Sequence, residues 1–319
     1  MTAVAEARAR QALEYEALHS SAAVHLLPRD VLRVDGVDAE SYLQGQCSQD
    51  VGGLEEGRSV DALLLSPQGK IDAFVRITGA GDGGFVIDTD AGFGSVVAAR
   101  LERFKLRVKV RIDPLDWNCV AVRGPDSAAA IVGRPDRVVA VEWPGLSGLD
   151  LLGPSPAGGP SAWVADRVVR CGDEAWEAAR IHAGIPVNGR EVVDGTIPAE
   201  VGLVDRTVSF AKGCFTGQEL VARLDARGSN VARRLCGVVI QDPSPPVSVP
   251  VGASVLTADG EHEVGTLSSV AYSPALHGSI ALARLHRRVT PPEVVRVIWE
   301  DDGHTQRVGA EARPLPLGE

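Results

Sequence analysis

The sequence lacks the features that mark membrane, secreted and metal-cluster proteins. No stretch approaches the roughly 18 consecutive apolar residues of a membrane helix. The N-terminal segment alternates Ala, Glu and Arg where a secretory signal would have an apolar core. The five cysteines, at positions 47, 119, 171, 214 and 236, include no CxxC pair. We therefore expect no membrane partner, no metal site or cluster held by this chain alone, and a reducing, cytoplasmic location.

Positive charge is also scarce in this chain. It has 32 lysines and arginines against 42 aspartates and glutamates, which gives a net charge of −10. A dedicated nucleic-acid binder needs a concentrated positive surface, so we expect no direct nucleic-acid partner. The seven histidines form no i, i+4 pair and no His-x-His, which gives no reason to assign a metal. At 319 residues, the chain is long enough for two or three globular modules.

Hydrophobic periodicity predicts an α+β body followed by a small all-β module. Residues 61–89 have the pattern of a meander of apolar strands, and the stretch EAWEAARIHAG predicts a helix that ends at Gly184. After Arg234 the helical period disappears, and short alternating strands follow a proline-rich connector. We therefore predict an N-terminal extension or helix at 1–25, the α+β body at 26–234 and a β-barrel at 235–319.

The most distinctive segment is KGCFTGQE, which places Cys214 just before a predicted helix, LVARLDAR. Thr216 and Glu219 have the spacing of a capping box, which predicts that the helix begins there. A sulfur at this place faces the positive end of the helix, with Lys212 close by. That environment stabilises a thiolate, although Glu219 opposes the effect. Cys214 and Lys212 are thus candidate catalytic residues; the alternative is that Cys214 is a small buried apolar residue in a tight turn.

KGCFTGQE resembles the K-G-C-Y/F-x-G-Q-E signature of the YgfZ family, which comprises folate-binding relatives of the glycine-cleavage T-protein. DAESYLQGQCSQDV, LLSPQGKI, ARIHAGIP and VGTLSSVAYSP resemble further segments of that superfamily and occur in the same order. The resemblance implies a cloverleaf in which two interleaved α+β domains are joined by a C-terminal β-barrel domain. It also implies that tetrahydrofolate or a folate derivative binds in the central hole.

The resemblance also assigns candidate folate contacts. Glu200 matches a glutamate that grips the pterin in T-protein relatives, a role that we favour over the alternative of a solvated loop acid. Arg223 resembles a folate-contacting arginine of the family, and Trp176 lies where the family has an aromatic residue, unless it is only part of the core. Folate also ends in an anionic tail. A predicted strand at 105–112, with cations at positions 105, 107, 109 and 111 on one face, is either a binding surface for such a tail, a phosphate or an acidic partner, or a solvated edge.

The main departure from the T-protein concerns catalysis. Paired aspartates follow the glycine-rich turn in T-proteins, and the matching positions here are Ala73 and Phe74, neither of which handles a proton. Asp72 would share a strand face with Phe74. A shift of strand register would then bring its carboxylate to the catalytic position, which is a weak alternative. The T-protein in turn lacks a cysteine at the position of Cys214. Whether this chain is an enzyme is therefore left open by its sequence.

Three hypotheses about function follow. The first is a tetrahydrofolate-binding YgfZ-like protein that uses Cys214 in iron–sulfur cluster assembly or repair and so supports cluster-dependent enzymes, including a tRNA-thiolating one. Its partners would be folate and iron–sulfur client or assembly proteins. The second is a folate-dependent aminomethyltransferase or demethylase, against which the residues at 73 and 74 count. The third is a binding or scaffold protein in which the cysteine is only structural.

Overall fold

A computed structural model describes residues 3–226, 230–241 and 248–318. Within these ranges the helices are α1 (Ala3–Ser20), α2 (Ala39–Gln46), α3 (Gly94–Phe104), α4 (Asp173–Ala183), α5 (Val204–Thr207) and α6 (Gln218–Asp225). Helix α1 packs on α4 and buries Tyr15 and Leu18 in a shared apolar cluster. Among the described helices, none combines the length and apolarity that crossing a bilayer requires.

Two five-stranded sheets form the body, and they are interleaved along the chain. Sheet I contains β1 (Ala23–Leu27), β7 (Asn118–Arg123), β8 (Arg137–Trp143), β9 (Leu146–Gly153) and β10 (Val169–Arg170), in the order β10-β1-β7-β9-β8. Sheet II contains β2 (Arg29–Asp35), β3 (Ser59–Leu65), β4 (Ile71–Gly79), β5 (Phe85–Asp90) and β6 (Arg111–Leu115), in the order β3-β4-β5-β2-β6. Because all of sheet II lies between β1 and β7 in sequence, the chain leaves sheet I and later returns to it.

The pairing of β3 with β4 contains an irregularity that decides where Asp72 lies. Leu63 pairs with Phe74 and Leu64 with Ala73, but Leu65 then pairs with Ile71. Asp72 is therefore the extra residue of a β-bulge, and a bulge interrupts the alternation of side chains between the two faces of a strand.

Residues 105–110 do not form the predicted strand. Strand β6 begins only at Arg111, and Arg107 has a φ of 59°, which turns the chain in the left-handed region. Lys105 pairs with Glu102, and Arg111 lies near Asp35 and Asp113. The four cations of this segment are thus not aligned on one strand face.

A closed antiparallel barrel follows the body. Its strands are β11 (Arg233–Ile240), β12 (Ser254–Thr257), β13 (Glu263–Ser273), β14 (Gly278–His286), β15 (Glu293–Asp301) and β16 (His304–Arg313), in the order β11-β14-β13-β12-β15-β16. Fully buried residues such as Val238, Val255, Ala281 and Val297 belong to its core. Closure pairs each strand with a neighbour on both sides, so the barrel has no free strand edge that could pair with another chain.

A buried polar cluster fixes α4 to the barrel. Arg180 Nη1 lies 3.1 Å from Glu191 Oε2, and Arg180 Nη2 donates to Ser269 Oγ on β13. Ser269 Oγ in turn donates to Glu191 Oε1 at 2.6 Å. All three side chains are almost completely buried. Because water is excluded there, their polar groups need hydrogen-bond partners within the protein, and the cluster supplies them. This cluster holds α4, and with it Trp176, in a fixed position.

Candidate functional site

A cavity of about 350 Å³ lies between the two sheets and is called here the inter-sheet cavity. Strands of both sheets, α4 and residues 185–187 line it. Three aromatic side chains, Phe74, Trp143 and Trp176, contribute to its walls. A concave site with aromatic walls and a few polar groups is the usual form of a small-molecule site.

Trp176 is held in this wall by aromatic neighbours. The His25 ring stacks on it with a centroid distance of 4.6 Å, and the Trp143 ring lies 5.1 Å away on a tilted plane. The guanidinium of Arg123 lies over both indoles, 5.0 Å from Trp143 and 5.2 Å from Trp176. The sequence predicted Trp176 to lie either at the folate site or in the core; in the structure it lines the inter-sheet cavity and packs in an apolar cluster.

A chain of ion pairs crosses the floor of the cavity. Arg76 Nη1 donates to Asp150 Oδ2 at 2.6 Å, and its other nitrogens bond Asp88. Arg123 Nη1 lies 2.8 Å from Asp150 Oδ1. Burial alone would raise the pKa of Asp150, but the charges of Arg123 and Arg76 overcome that effect and lower the pKa to about 2. Asp150 is therefore a carboxylate at any physiological pH.

Two polar atoms of this floor have no hydrogen bond. Arg123 Nε and Asp150 Oδ1 are both buried and unsatisfied, and the contact of Oδ1 with Arg123 lacks hydrogen-bond geometry. Both residues line the cavity and are at least nine-tenths buried. Asp150 Oδ1 keeps its ion pair with Arg123, and both atoms lie where water does not reach, so their missing hydrogen bonds cost free energy.

Glu200 lies elsewhere. It ends a short turn, Pro198–Glu200, and its Oε2 is 3.6 Å from Arg284 on β14. Arg284 also donates to Thr196 Oγ1 at 2.9 Å. Glu200 is not among the residues that line the inter-sheet cavity, so the carboxylate at that floor is Asp150. The available sequence signal was a lone aspartate within an otherwise apolar strand, LDLL, which sequence reasoning passed over.

Cys214 lies on the loop before α6 and is exposed, whereas Cys47, Cys119, Cys171 and Cys236 are buried. The loop is anchored to the end of α2, because Thr216 N donates to Gly45 O at 3.2 Å. Lys212 Nζ donates to the carbonyl oxygens of Cys47 and Gln49, at 2.9 and 2.7 Å. Partial burial lowers the pKa of Lys212. Lys212 thus holds the loop in place through backbone carbonyls.

The predicted capping box at Thr216 and Glu219 is wrong. Helix α6 begins at Gln218, its N-cap is Gly217 with a φ of 81°, and no side chain caps it. Instead, Phe215 N donates to Gln218 Oε1 at 3.1 Å. Gly217 packs too closely on the β3–β4 turn for a capping threonine to take its place, since a Cβ there would lie 2.5 Å from Ser66 O.

Arg223 is exposed on α6 and does not line the inter-sheet cavity. Its predicted helical neighbour Arg227 lies outside the described residues. Cys214, Lys212 and Glu200 are likewise absent from the cavity lining. Of the five site residues predicted from sequence, the structure therefore places Trp176 at the cavity and the other four outside it. In the described part of the chain, no three or more His, Cys, Asp or Glu side chains are grouped as a metal site would require.

The two positions that the sequence resemblance matched to T-protein aspartates differ in their surroundings. Phe74 lines the inter-sheet cavity, whereas Ala73 is buried in the core of sheet II. Asp72 lines a separate groove beside α3, and its Oδ2 accepts from Arg100 Nε at 3.0 Å. The bulge at Asp72 thus turns this carboxylate away from the cavity. Asp72 therefore does not replace the missing carboxylate at position 74.

Comparison with known proteins agrees with this architecture. Residues 233–314 match the family described as the glycine cleavage T-protein C-terminal barrel domain. The chain is 29% identical to the human mitochondrial iron–sulfur cluster assembly factor IBA57, with 73% of this chain and 70% of that protein covered. It is also 29% identical to the tRNA-modifying protein YgfZ of Klebsiella pneumoniae, with 62% of this chain and 65% of that protein covered. The matches thus span about two thirds of the length of these relatives.

The structure is also similar to that of aminomethyltransferase T of the glycine cleavage system from Bartonella henselae. The TM-score is 0.80, and the match covers 97% of this chain and 89% of that chain at 19% identity. At this identity the likeness shows the fold alone, and it confirms the predicted α+β architecture with a C-terminal barrel. The chain is thus similar in sequence to the YgfZ and IBA57 proteins and has the fold of the glycine-cleavage T-protein, whose C-terminal barrel domain residues 233–314 match.

Proposed function

We propose that this chain binds tetrahydrofolate in the inter-sheet cavity and uses Cys214 to support assembly or repair of iron–sulfur clusters on client proteins. The names of two relatives support a role in iron–sulfur cluster assembly, since one is called an iron–sulfur cluster assembly factor and the other a tRNA-modifying protein. Cluster-dependent enzymes, such as tRNA-modifying ones, would benefit indirectly. The observation that carries the proposal is that Cys214 alone of the five cysteines is exposed.

The cavity residues fit the ring of a folate. The pyrimidine half of the reduced pterin is flat and has N–H donors and a carbonyl acceptor along one edge. Phe74, Trp143 and Trp176 contribute apolar surface to the walls of the cavity, and the carboxylate of Asp150 and the guanidinium of Arg123 belong to its lining. Bound tetrahydrofolate would supply a carrier for one-carbon units. The chain's own part is to bind the ring, orient it and keep water from its buried edge.

The iron–sulfur cluster would be the substrate on which Cys214 acts. An exposed thiol can ligate cluster iron transiently, accept sulfane sulfur from a donor persulfide with release of the donor's thiol, or accept a one-carbon unit from the folate that carries it. Lys212 positions this loop by its two carbonyl bonds and so fixes where the thiol is presented. The partners implied are folate and an iron–sulfur client or assembly protein.

The decisive experiment is complementation with Cys214→Ala in a strain that lacks this protein. We expect cluster-dependent enzyme activity to stay low, while Cys236→Ala, which removes a buried thiol, restores it. Full rescue by Cys214→Ala would end the thiol role and favour the hypothesis of a structural cysteine. Titration calorimetry with tetrahydrofolate tests the other half of the proposal, because absence of any heat of binding would falsify it.

The alternative function is an aminomethyltransferase or demethylase. Against it stands Phe74, which lines the cavity at a position where T-proteins have an acid. We expect no tetrahydrofolate-dependent release of ammonia from an aminomethylated carrier protein. Release of ammonia at the rate of a T-protein assayed in parallel would revive this alternative.

A further inference from the structure

The charges around the inter-sheet cavity are already neutralised by one another. Five guanidinium groups line the cavity, and each is paired with carboxylates of the chain. The five are Arg29, Arg76, Arg123, Arg180 and Arg206. Their carboxylate partners number six: Asp61, Asp88, Asp90, Asp150, Glu177 and Glu191.

These pairs make the cavity a poor site for an anion. Arg190 shares Glu177 with Arg180, so six guanidinium groups face six carboxylates, and Glu142 adds a further exposed carboxylate to the lining. In the part of the chain that the structure describes, no lysine lines the cavity to compensate. An anionic group that entered would lose its hydration without gaining an unpaired cation, which is unfavourable in a low-dielectric site.

The size of the cavity leads to the same conclusion. Sites for drug-sized ligands enclose roughly 300–1,000 Å³, and this one encloses about 350 Å³, near the lower limit. A bicyclic ring with a short substituent fills such a volume. The rest of a folate, which is a benzoate amide with one or more glutamates, would have to project from the mouth.

The surface candidates for holding an anionic tail do not provide a site. Arg223 is exposed on α6 and lies outside the cavity lining. The segment 105–110 does not form a basic strand face, and Lys105 and Arg111 are near carboxylates. The described residues of the cavity therefore recognise a ring and offer nothing to a chain of glutamates.

We infer that this protein selects its ligand by the reduced pterin ring and is indifferent to the glutamate tail. The ligand class is thus a reduced pterin, with mono- and polyglutamylated folates bound equally well and tail-less tetrahydropterins also accepted. The carboxylate of Asp150 and the guanidinium of Arg123 would recognise the ring edge, and the aromatic walls of the cavity would pack on the ring. This inference rests on the proposed function, since it assumes that folate occupies the same cavity.

Titration calorimetry of the full chain with three probes tests it. The probes are 5-formyltetrahydrofolate with one glutamate, the same compound with three glutamates, and 6-methyltetrahydropterin. We expect the two folates to bind with dissociation constants within about twofold of each other, at both low and high salt. Electrostatic attraction between a glutamate tail and the protein would instead make the triglutamate form bind more weakly as the salt concentration rises. The tail-less pterin should bind and compete with both.

A triglutamate form that binds tenfold or more tightly at low salt, with the advantage lost at high salt, would overturn the inference and leave the proposed function standing. Failure of all three probes to bind would instead overturn the proposed function and the inference with it. Folate binding without any competition by the tail-less pterin would overturn the inference alone.

A variant at the rim gives an independent readout. Glu142 is exposed, so Glu142→Lys should fold and would create an unpaired cation at the mouth. We expect it to tighten binding of the triglutamate form by about three- to tenfold relative to the monoglutamate form at low salt. Glu142→Gln, the matched neutral variant, should show a smaller gain. If wild-type protein already shows the tail preference of the lysine variant, the inference is wrong.

Discussion

Arg76 of sheet II donates a hydrogen bond of 2.6 Å to Asp150 of sheet I, across the floor of the inter-sheet cavity. The two residues are 74 positions apart in sequence, and both side chains are almost completely buried. Burial alone would lower the pKa of Arg76, but the carboxylates of Asp88 and Asp150 raise it well above its ordinary value. The same ion pair therefore joins the two sheets and forms the floor of the candidate site, so the site depends on the correct assembly of both.

Loss of the Asp150 charge should destabilise the fold. Asp150→Asn would leave Arg76 and Arg123 buried beside a neutral amide. Removing one partner of a buried ion pair typically costs about 3–5 kcal/mol, and we expect a loss near the lower value because the amide oxygen still accepts a hydrogen bond. Urea unfolding followed by tryptophan fluorescence measures it. Asp166→Asn, at an exposed aspartate, is the matched control and should change the free energy of unfolding by less than about 0.5 kcal/mol.

The same pair predicts a pH dependence with a definite sign. The pKa of Asp150 is about 2 in the folded protein, below its ordinary value of 3.8. Its contribution to stability is therefore fully present above pH 4 and is lost as the pH falls from about 4 towards 2. The difference in free energy of unfolding between wild type and Asp150→Asn should stay constant from pH 5 to 8 and shrink below pH 4. A difference that persists undiminished at pH 2 would contradict this assignment.

Native-state alkylation should single out Cys214. Burial raises the pKa of Cys171 to about 12 and that of Cys236 to about 11, and it also raises the pKa of Cys47 and Cys119. Because the thiolate is the reactive species, we expect iodoacetamide at pH 8 to add one group per native chain and five after unfolding.

Intact-mass spectrometry counts these additions, and peptide mapping locates them. Cys214→Ser should remove the single native adduct and leave four sites in the unfolded chain. Labelling of Cys47 at a rate comparable with that of Cys214 would show that the loop held by Lys212 opens readily, which the two carbonyl bonds of Lys212 argue against.

Local patterns in the sequence predicted a large part of the fold. The helix EAWEAARIHAG is α4, which ends at Ala183 before Gly184 with a φ of 72°, because that conformation suits glycine. The meander at 61–89 is β3, β4 and β5, paired in that order. In both cases the signal is contained within one element or between neighbours in sequence.

The site was harder to predict, because its residues come together through long-range pairing. Asp150 becomes the carboxylate of the cavity only once β9 lies opposite β4, and no local sequence pattern predicts that contact between the two strands. The bulge at Asp72 reverses the face that simple alternation assigns to it. The capping box failed for a similar reason, since close packing of Gly217 on the β3–β4 turn decides where α6 begins.

The two glycines that flank Cys214 should respond in opposite ways to substitution by alanine. Gly217 has a φ of 81°, and a Cβ there would lie 2.5 Å from Ser66 O and 2.8 Å from Leu65 Cβ. Gly217→Ala should therefore lower the free energy of unfolding by about 1–3 kcal/mol, through backbone strain and displacement of the β3–β4 turn. Gly213 has open space around its Cα, so Gly213→Ala should be neutral or slightly stabilising.

Urea unfolding gives the two free energies, and iodoacetamide labelling reports the loop itself. We expect Gly217→Ala to change the alkylation rate of Cys214, because α6 and the anchored loop shift together, whereas Gly213→Ala should label like wild type. Equal stability and equal labelling of the two variants would mean that the close approach of Gly217 to Ser66 does not position the thiol. The presentation of Cys214 would then depend on the Lys212 bonds alone.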